Sequence, residues 1–307
     1  GPLGSVSRLT LGGGGLGQLW GETSRAEAVA TVHAAVEAGI DLLDLAPLYG
    51  RGEAERVVGE AFDGRRPAGV RVTTKCQLGD PEDQTVEERI RRHLERSLQA
   101  LRLDRVDLLF LHSNLIPDDF RFPRDAAVQR HFATPWSRYV EEVVPTFEAL
   151  VAEGRIGAWG ITGVGLPERI LAALETTPRP AAVQCIANCL DSAGDIRRFD
   201  EPERPRALVA AAVAHGVGVM GIRAVQAGAL TDAFDRPIAA DSQDMADYHR
   251  AAPFRALAAE LGTTPAALAH RYALAIPGVA TVVLGVKNRA ELAEYVAAEA
   301  DGPLPAE

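Results

Sequence analysis

Four side chains in the first half of the chain have the types and spacing that proton transfer requires. Asp44, Lys75 and His112 each follow a short apolar run, and Tyr49 comes five residues after Asp44. A tyrosine with an ordinary pKa of about 10 is a poor acid near neutral pH, and a neighbouring ammonium lowers that pKa. An aspartate beside the lysine keeps it charged, and a histidine opposite can donate a hydrogen bond to a carbonyl oxygen. We therefore predict a proton-transfer site centred on Tyr49.

Each of these four residues also has a structural alternative. A strand-end aspartate often caps a turn, and a lysine beside it is often half of a structural ion pair. A histidine after an apolar run and a tyrosine in a loop often only pack. The convergence of all four on one region favours chemistry over these alternatives. Because Asp44 opposes the effect of Lys75 on the phenol, the direction of the net pKa shift of Tyr49 stays open.

The elements that must position these residues alternate between strands and helices. Strands are predicted at 7–12, 40–45, 70–74, 106–111, 156–161, 181–186, 217–221 and 281–284. Helices are predicted at 25–38, 53–62, 86–101, 140–153, 167–174, 204–214, 249–260, 264–275 and 288–297. Alternation of this kind implies a parallel sheet, and the chain length fits a closed (β/α)8 TIM barrel better than a doubly wound sheet. In such a barrel the strand-end residues Asp44, Lys75 and His112 share the face that carries the active site.

Two long segments follow predicted strands four and seven, at 113–138 and 222–248. The first is rich in aromatic and proline residues, which favours an ordered loop over the site. Four aromatic residues are expected either to stack on a substrate ring or sugar, or only to anchor loops: Trp20, Phe120, Phe122 and Trp136. The glycines at 12–15 predict a tight loop after strand one that lets backbone approach a ligand, with a flexible linker as the alternative.

Composition limits the classes of partner. The chain has 307 residues, 47% of them hydrophobic, and a formal net charge of −10, with no basic run that would indicate a nucleic-acid partner. The sequence contains neither a run of about 18 apolar residues nor a signal peptide, so we expect no association with a membrane.

The three cysteines lack metal-ligand spacing, which predicts reduced thiols and a cytoplasmic protein. Residues 1–5 are expected to be the remnant of a cleaved expression tag, and 6–307 a single barrel domain.

The motifs resemble those of the aldo-keto reductase family over roughly residues 7–300. The matching stretches are 39–44, 49–50, 53–59, 73–75, 107–112, 154–161 and 216–219, together with Gln184. The resemblance implies a barrel that uses NAD(P)H without a Rossmann fold. It also implies a catalytic tetrad of Asp44, Tyr49, Lys75 and His112. Hydride would pass from the nicotinamide to a carbonyl carbon of a small molecule while Tyr49 donates the proton.

The resemblance also suggests where the cofactor would bind, with departures from the family pattern. A Ser-Asn pair that holds the nicotinamide carboxamide is replaced by Thr162-Gly163, which keeps only the hydroxyl. Gln184 matches a carboxamide-binding glutamine. Arg223 is expected to bind the pyrophosphate, since guanidinium pairs bidentately with phosphate, and a surface salt bridge is its alternative. The following cofactor loop is expected to include Gln226, Gly228 and Leu230.

The segment after the last strand would bind the adenosine end. Gly285, Lys287 and Arg289 match the region that grips the 2′-phosphate, which favours NADP(H). Glu291 stands where many members have an arginine and would repel that phosphate, so NAD(H) stays open. Glu294 is expected to contact the adenine.

The sequence therefore predicts a reductase of aldehydes or ketones, or an alcohol dehydrogenase working in reverse. One alternative is a regulatory subunit of the same fold that senses nucleotide without turnover. Another is a biosynthetic enzyme that uses the site for redox-neutral epimerisation through a transient ketone.

Overall fold

Eight parallel strands close into a barrel in the computed structural model of the protein, which describes residues 3–82, 84–123, 128–302 and 304. The strands along the chain are β1 (Leu9–Gly12), β2 (Leu42–Asp44), β3 (Arg71–Cys76), β4 (Val106–Leu111), β5 (Asn114–Ile116), β6 (Ala133–Pro135), β7 (Ile156–Thr162), β8 (Ala182–Ile186), β9 (Gly218–Ile222) and β10 (Thr281–Leu284). Around the barrel the order is β1, β2, β3, β4, β7, β8, β9 and β10, which pairs again with β1. The predicted (β/α)8 barrel is confirmed.

Alternation along the strands decides which side chains enter the barrel. Successive strand residues point to opposite faces, so Leu42 and Asp44 point inward while Leu43 packs outward against the helices. Register pairs Asp44 with Thr73 and Lys75 with Phe110, which brings these residues to matching heights. The apolar cluster inside the barrel consists of Leu42, Leu108, Phe110, Ala158, Ala182 and Met220. Polar side chains at the strand ends therefore lie directly above an apolar floor.

Thirteen helical elements of α type are numbered along the described chain. They are α1 (Gly13–Leu16), α2 (Arg25–Glu37), α3 (Glu53–Phe62), α4 (Val86–Leu101), α5 (Gln129–Phe132), α6 (Trp136–Arg138), α7 (Val144–Ala152), α8 (Pro167–Glu175), α9 (Pro205–Ala214), α10 (Gln243–Arg250), α11 (Ala252–Glu260), α12 (Pro265–Ala275) and α13 (Arg289–Ala300). Local sequence signals start several of them. Ser24 caps α2, and Thr85 with Glu88 forms a complete capping box on α4. Within the described ranges, no helix is both long enough and apolar enough to cross a membrane.

The glycine-rich stretch after β1 differs from the predicted tight loop. Gly12 ends the strand and Gly13–Leu16 forms the short helix α1, whose residues are all buried. Glycine is required here by close packing: a Cβ on Gly15 would lie 1.9 Å from the Val286 carbonyl oxygen. The stretch is therefore a packed turn, and the linker alternative is wrong.

The two long segments contain more regular structure than predicted. In the 113–138 segment, β5 and β6 form a separate two-stranded parallel sheet, with α5 and α6 beside β6. Residues 124–127 of that segment lie outside the described residues. In the 222–248 segment, a 3₁₀ turn spans Gln226–Gly228 and α10 begins at Gln243. Ser242 caps α10 by accepting a hydrogen bond from the Met245 amide, so a local capping signal lies within the segment predicted as a loop.

Candidate active site

A buried ion pair lies at the carboxyl end of the first barrel strands. The ammonium of Lys75 donates to Asp44 Oδ2 at 2.6 Å and to the Leu45 carbonyl at 2.9 Å. Both charged side chains are almost inaccessible, with Asp44 and Lys75 each 1% exposed. Asp44 Oδ1 accepts from Thr73 Oγ1 and from Gln184 Nε2, each at 2.8 Å. The Asp44 carboxylate is thus held from three sides and compensates the buried ammonium.

Tyr49 lies directly above this pair. The Lys75 Nζ is 5.0 Å from the centre of the phenol ring. A turn after β2 brings the tyrosine there, because the Tyr49 amide donates to the Ala46 carbonyl at 3.0 Å. Burial is the largest influence on the phenol and raises its pKa above the usual value, and the nearby Lys75 charge lowers it by less. The net shift of the Tyr49 pKa is therefore upward, and Tyr49 is protonated at neutral pH.

Lys75 remains charged despite its burial. Burial lowers the pKa of its ammonium, but the Asp44 carboxylate and Tyr49 raise it by more, so the net pKa is above the usual value. A protonated lysine below the phenol favours the phenolate that forms once the proton has left. Lys75 therefore favours the phenolate, and the negative charge of Asp44 opposes part of that effect.

His112 completes the group of four predicted catalytic residues. It follows β4, and its backbone amide donates to the Cys76 carbonyl at 2.8 Å. The rings of His112 and Tyr49 meet edge to face, with centroids 6.3 Å apart at 81°. Burial, with a smaller contribution from the Lys75 charge, lowers the pKa of His112 to about 3. The imidazole is therefore neutral at neutral pH, and its Nδ1 is buried without a partner among the described residues.

One large cavity, of about 690 Å³, opens above these four residues. Eleven of the residues predicted from sequence line it: Trp20, Asp44, Tyr49, His112, Thr162, Gln184, Arg223, Gly228, Gly285, Lys287 and Glu294. Lys75 is not among the lining residues, but it contacts two of them, Asp44 and Tyr49. The cavity extends from Tyr49 to Glu291 and Glu294 in the amino-terminal half of α13.

The cavity wall beside the ion pair carries Thr162 and Gln184. Thr162 Oγ1 donates to the Leu111 carbonyl at 3.3 Å. Gln184 uses its Nε2 on Asp44, so its Oε1 is the atom left for a ligand. Thr162 is the last residue of β7 and Gln184 the middle residue of β8, and both line the same cavity as His112.

Arg223 is mostly buried at the middle of the cavity. Its Nη2 donates to Asp244 at 2.9 Å and its Nε to Gln226 at 2.9 Å. Burial lowers the pKa of the guanidinium, against the opposing charge of Asp244. Its Nη1 has no partner within the part of the chain that the structure describes, so Arg223 is both anchored and able to bind an anion.

The far end of the cavity is more acidic than the sequence suggested. Lys287 Nζ contacts Asp235 and Glu291, each at 2.6 Å. Glu294 accepts a short hydrogen bond from Thr264. Arg289 is bound to Glu27 at 2.9 Å and is not among the lining residues. Lys287 is therefore the basic residue of the predicted 2′-phosphate region that reaches the cavity, and two carboxylates already hold it.

Several other predicted binding residues lie off the cavity. Gln226 is fully buried and donates to Asp247 at 2.7 Å, so it supports the Arg223 loop from behind. Leu230 packs in a small core cluster with Ala251 and Ala269. In the 113–138 segment, the rings of Phe120 and Phe122 pack against each other, and Trp136 packs on Tyr139. Of the four predicted substrate aromatics, the structure places Trp20 at the cavity.

The structure also reveals lining residues that the sequence did not indicate. They are Asn114, Phe132, Arg198, Arg236, His270 and Tyr295. The Arg236 guanidinium lies 5.1 Å from the Trp20 ring centre, and His270 stacks on Tyr295 at 3.9 Å. These positions depend on contacts between distant segments, so no local pattern marks them. A sequence signal existed for Asn114 and Phe132, since both lie in the 113–138 segment that was predicted to cover the site.

The lining fits a nicotinamide dinucleotide in its chemistry. Five glycines line the cavity, and their lack of side chains lets a ligand approach the backbone closely: Gly12, Gly13, Gly14, Gly228 and Gly285. Arg223 offers a fork for phosphate, Thr162 and Gln184 offer polar atoms beside the tetrad, and Tyr295 offers an aromatic face at the far end.

Comparisons with known proteins agree with this architecture. The model of the Aldo/keto reductase family matches residues 8–307. L-galactose dehydrogenase of Arabidopsis thaliana is 26% identical over 303 residues, covering 95% of this chain and 84% of that protein. A holo-form aldo-keto reductase from Bacillus halodurans superposes with a TM-score of 0.69 at 24% identity, covering 98% of this chain and 89% of that one.

A second solved structure is an aldo-keto reductase from Klebsiella pneumoniae in complex with NADPH. Its TM-score is 0.67 at 24% identity, with 98% of this chain and 87% of that chain covered. At this level of identity the structural matches show the shared fold. The family match spans nearly the whole sequence, and we conclude that the chain belongs to the aldo/keto reductase family of oxidoreductases.

Proposed function

We propose that the protein reduces an aldehyde or ketone to an alcohol, or catalyses the reverse reaction, with Tyr49 as the proton donor in reduction. The observation that carries this proposal is the position of Tyr49, which lies between the buried Asp44–Lys75 ion pair and the cavity. A phenol that is protonated at neutral pH lies above a permanent cation and beside a neutral imidazole. Burial keeps this phenol protonated until negative charge develops on the carbonyl oxygen, and the Lys75 ammonium offsets part of the cost of forming the phenolate.

Each residue of the site has a distinct role in this proposal. A bound nicotinamide supplies or accepts the hydride. Tyr49 and neutral His112 orient the carbonyl oxygen by hydrogen bonds, and Tyr49 transfers its proton to that oxygen as negative charge develops. Lys75 stabilises the phenolate, and Asp44 holds Lys75 in place. Thr162 and Gln184 would hold the carboxamide, and Arg223 the pyrophosphate.

The adenosine end supports use of both NADPH and NADH. We propose that Lys287 binds the 2′-phosphate of NADPH, as its position at the cavity allows. To do so it must share its charge with Asp235 and Glu291, which reduces the gain from the phosphate contact. NADPH is therefore favoured only modestly, and NADH should also be accepted.

The test is a panel of aldehydes and ketones mixed with the enzyme and either reduced cofactor, followed by loss of the reduced-nicotinamide absorbance and identification of the alcohol. Turnover with at least one member supports the proposal. Tight NADPH binding without oxidation by any member would favour a nucleotide-sensing subunit. Isotope exchange at a carbinol carbon without net cofactor consumption would favour epimerisation.

A further inference from the structure

A buried polar cluster surrounds Arg223 at the middle of the cavity. Asn188 follows β8, Gln226 follows β9, and Asp244 and Asp247 lie on α10. None of these four side chains is more than 5% exposed. Because polar groups are costly to bury without partners, the way in which these residues bond to one another decides how Arg223 is held.

The orientation of the Asn188 amide is fixed by backbone groups. Its Oδ1 accepts from the amides of Leu190 at 3.1 Å and Ser192 at 3.3 Å. Its Nδ2 donates to the carbonyls of Ser192 at 3.0 Å and Arg223 at 3.1 Å. Backbone amides only donate and carbonyls only accept, so turning the Asn188 amide over would break these bonds. Its Nδ2 therefore faces Gln226, whose Oε1 lies 3.4 Å away.

Asp247 fixes the Gln226 amide from the other side. Gln226 Nε2 donates to Asp247 Oδ2 at 2.7 Å, and the same oxygen accepts from Ser192 Oγ at 2.5 Å. The other oxygen of Asp247 pairs with Arg250 at 3.1 Å. An ionised carboxylate only accepts, so the donor end of Gln226 must face Asp247. The acceptor end is then left for Arg223, whose Nε donates to Gln226 Oε1 at 2.9 Å.

These bonds leave one nitrogen of the Arg223 guanidinium for a ligand. Nε is bound to Gln226 and Nη2 to Asp244, so Nη1 is the nitrogen without a partner among the residues that the structure describes. The loop itself has left-handed backbone, with φ of 57° at Arg223, 47° at Gln226 and 52° at Ala227. Residues other than glycine keep this conformation where the surrounding structure holds them in it. The cluster therefore holds both the loop and its guanidinium.

We propose that Asp247 is a positioning residue for the cofactor: through Gln226 it holds the Arg223 guanidinium so that Nη1 meets the pyrophosphate of the dinucleotide. This inference rests on the proposed function, which assigns the pyrophosphate to Arg223. Asp247 is fully buried and is not among the residues that line the cavity, so it acts through Gln226 and not by contact with the cofactor. Without Asp247, the Gln226 amide can turn its donor end toward the Arg223 Nε, which displaces the guanidinium.

The test is a double-mutant cycle on the dissociation constant of NADPH, measured by calorimetry. Asp247→Leu should raise that constant at least about tenfold in the wild-type background, since it releases a charged hydrogen-bonding group. In the Arg223→Met background the same change should alter it by less than about twofold, because the residue that Asp247 positions is gone. A general loosening of α10 would instead weaken binding by the same factor in both backgrounds.

Conservative and control variants complete the cycle. Asp247→Asn keeps an oxygen that can accept from Gln226, so its dissociation constant should stay within about threefold of the wild type. Gln226→Met should behave as Asp247→Leu does, and it takes that variant's place in the cycle if Asp247→Leu does not fold. Asp107→Leu is the matched control: this largely buried carboxylate accepts from the Val72 amide at 2.8 Å near the amino-terminal end of β4, and NADPH binding should be unchanged.

Aldehyde turnover separates this inference from the proposed function, because the cycle itself needs no substrate. If no aldehyde is reduced, yet Asp247→Leu weakens NADPH binding only when Arg223 is present, the reduction fails and the positioning role stands. If aldehydes are reduced but Asp247→Leu binds NADPH as the wild type does, or loses affinity equally in both backgrounds, the positioning role is overturned and the reduction stands. Unchanged NADPH affinity in Arg223→Met also overturns the positioning role.

Discussion

Asp44 and Tyr49 are five residues apart in sequence but have unequal parts in the site. Both carboxylate oxygens of Asp44 accept hydrogen bonds: Lys75 donates to one, and Thr73 and Gln184 donate to the other. In the proposed function, the carboxylate therefore holds Lys75 and does not act as the acid. Tyr49 lines the cavity, where its phenol can transfer a proton to a bound substrate.

The buried pair gives a prediction about stability. Lys75→Met leaves an uncompensated buried carboxylate, so it should lower the free energy of unfolding by about 3–5 kcal/mol. Adding Asp44→Asn to that variant removes the uncompensated carboxylate, so it should restore at least about 1 kcal/mol of the free energy of unfolding even though it removes further native contacts. Urea unfolding of the two variants and the wild type measures both quantities. Arg130→Met, which removes an exposed pair with Glu82, should change stability little. Additive losses in the double variant would contradict the coupling.

The adenosine end gives a prediction about cofactor choice. Glu291→Arg removes one of the carboxylates that hold Lys287 and adds a cation at the cavity. We expect the ratio of NADPH to NADH affinity to rise by about tenfold or more, since a charge-assisted hydrogen bond contributes about 1.5–3 kcal/mol. Titration of intrinsic fluorescence with each dinucleotide gives the ratio. Glu299→Arg, on the same helix but beside Arg8, is the control. An unchanged ratio of NADPH to NADH affinity in Glu291→Arg would contradict the assignment of Lys287 to the 2′-phosphate site.

At the scale of elements, the turn after β2 and the short helix α1 position Tyr49 together. A Cβ on Gly13 would lie 3.2 Å from Tyr49 Cδ2, and one on Gly17 would lie 2.6 Å from the Tyr49 carbonyl carbon. The glycine stretch is thus packed against the segment that carries the predicted proton donor. Its lack of side chains serves this packing as well as access to the cavity.

The same packing predicts the effect of filling one glycine. Gly15→Ala would place a methyl group against the Val286 carbonyl, and overpacking of this kind costs about 1–3 kcal/mol. Gly218→Ala in β9 is the matched control, because the nearest atoms to its Cβ would be 3.5 Å and 3.9 Å away. Unfolding of the two variants in urea should show the loss only for Gly15→Ala. Equal stabilities would mean that α1 can move away from β10 without cost.

The regular elements were predictable from sequence where their signals are local. The buried strands β2, β3 and β4, with Asp44, Lys75 and His112 at or next to their carboxyl ends, follow from the burial of parallel strands on both faces. The small sheet in the 113–138 segment was not predicted, since β5 and β6 have three residues each and β6 ends at Pro135. Strands so short carry no measurable periodicity, and proline argues against a central strand.

At the scale of the whole molecule, the cavity is assembled from segments that follow strands all around the barrel. The sequence placed the strand-end residues correctly at one mouth because the barrel fold brings the carboxyl ends together. It did not place Arg198 against Phe132, or Lys287 between Asp235 and Glu291, since those contacts join segments from different parts of the chain. Local patterns contain no information on such pairs.

Buried histidines should make the stability of the whole protein depend on pH. Burial lowers the pKa of His270 to about 4, against an ordinary value near 6.5. The unfolded chain therefore binds more protons between pH 6.5 and 4, and stability is lost as pH falls through that window. His270 alone should account for about 2 kcal/mol between pH 7 and 5. His112 and His93 shift in the same direction.

Urea unfolding at pH 7 and pH 5 tests this linkage. His270→Phe keeps a ring that can stack on Tyr295 but cannot take up a proton. We expect this variant to lose about 2 kcal/mol less than the wild type between the two pH values. The same loss in both proteins would show that His270 does not become protonated on unfolding.

The central claim is that Tyr49 donates the proton, and single-turnover kinetics of Tyr49→Phe tests it most directly. Enzyme with NADPH bound is mixed with the most reactive aldehyde of the panel, and oxidation of the cofactor is followed by stopped flow. We predict a rate constant at least about 100-fold below that of the wild type, with the NADPH dissociation constant unchanged within about twofold. A rate constant within a few-fold of the wild-type value would contradict the assignment of Tyr49.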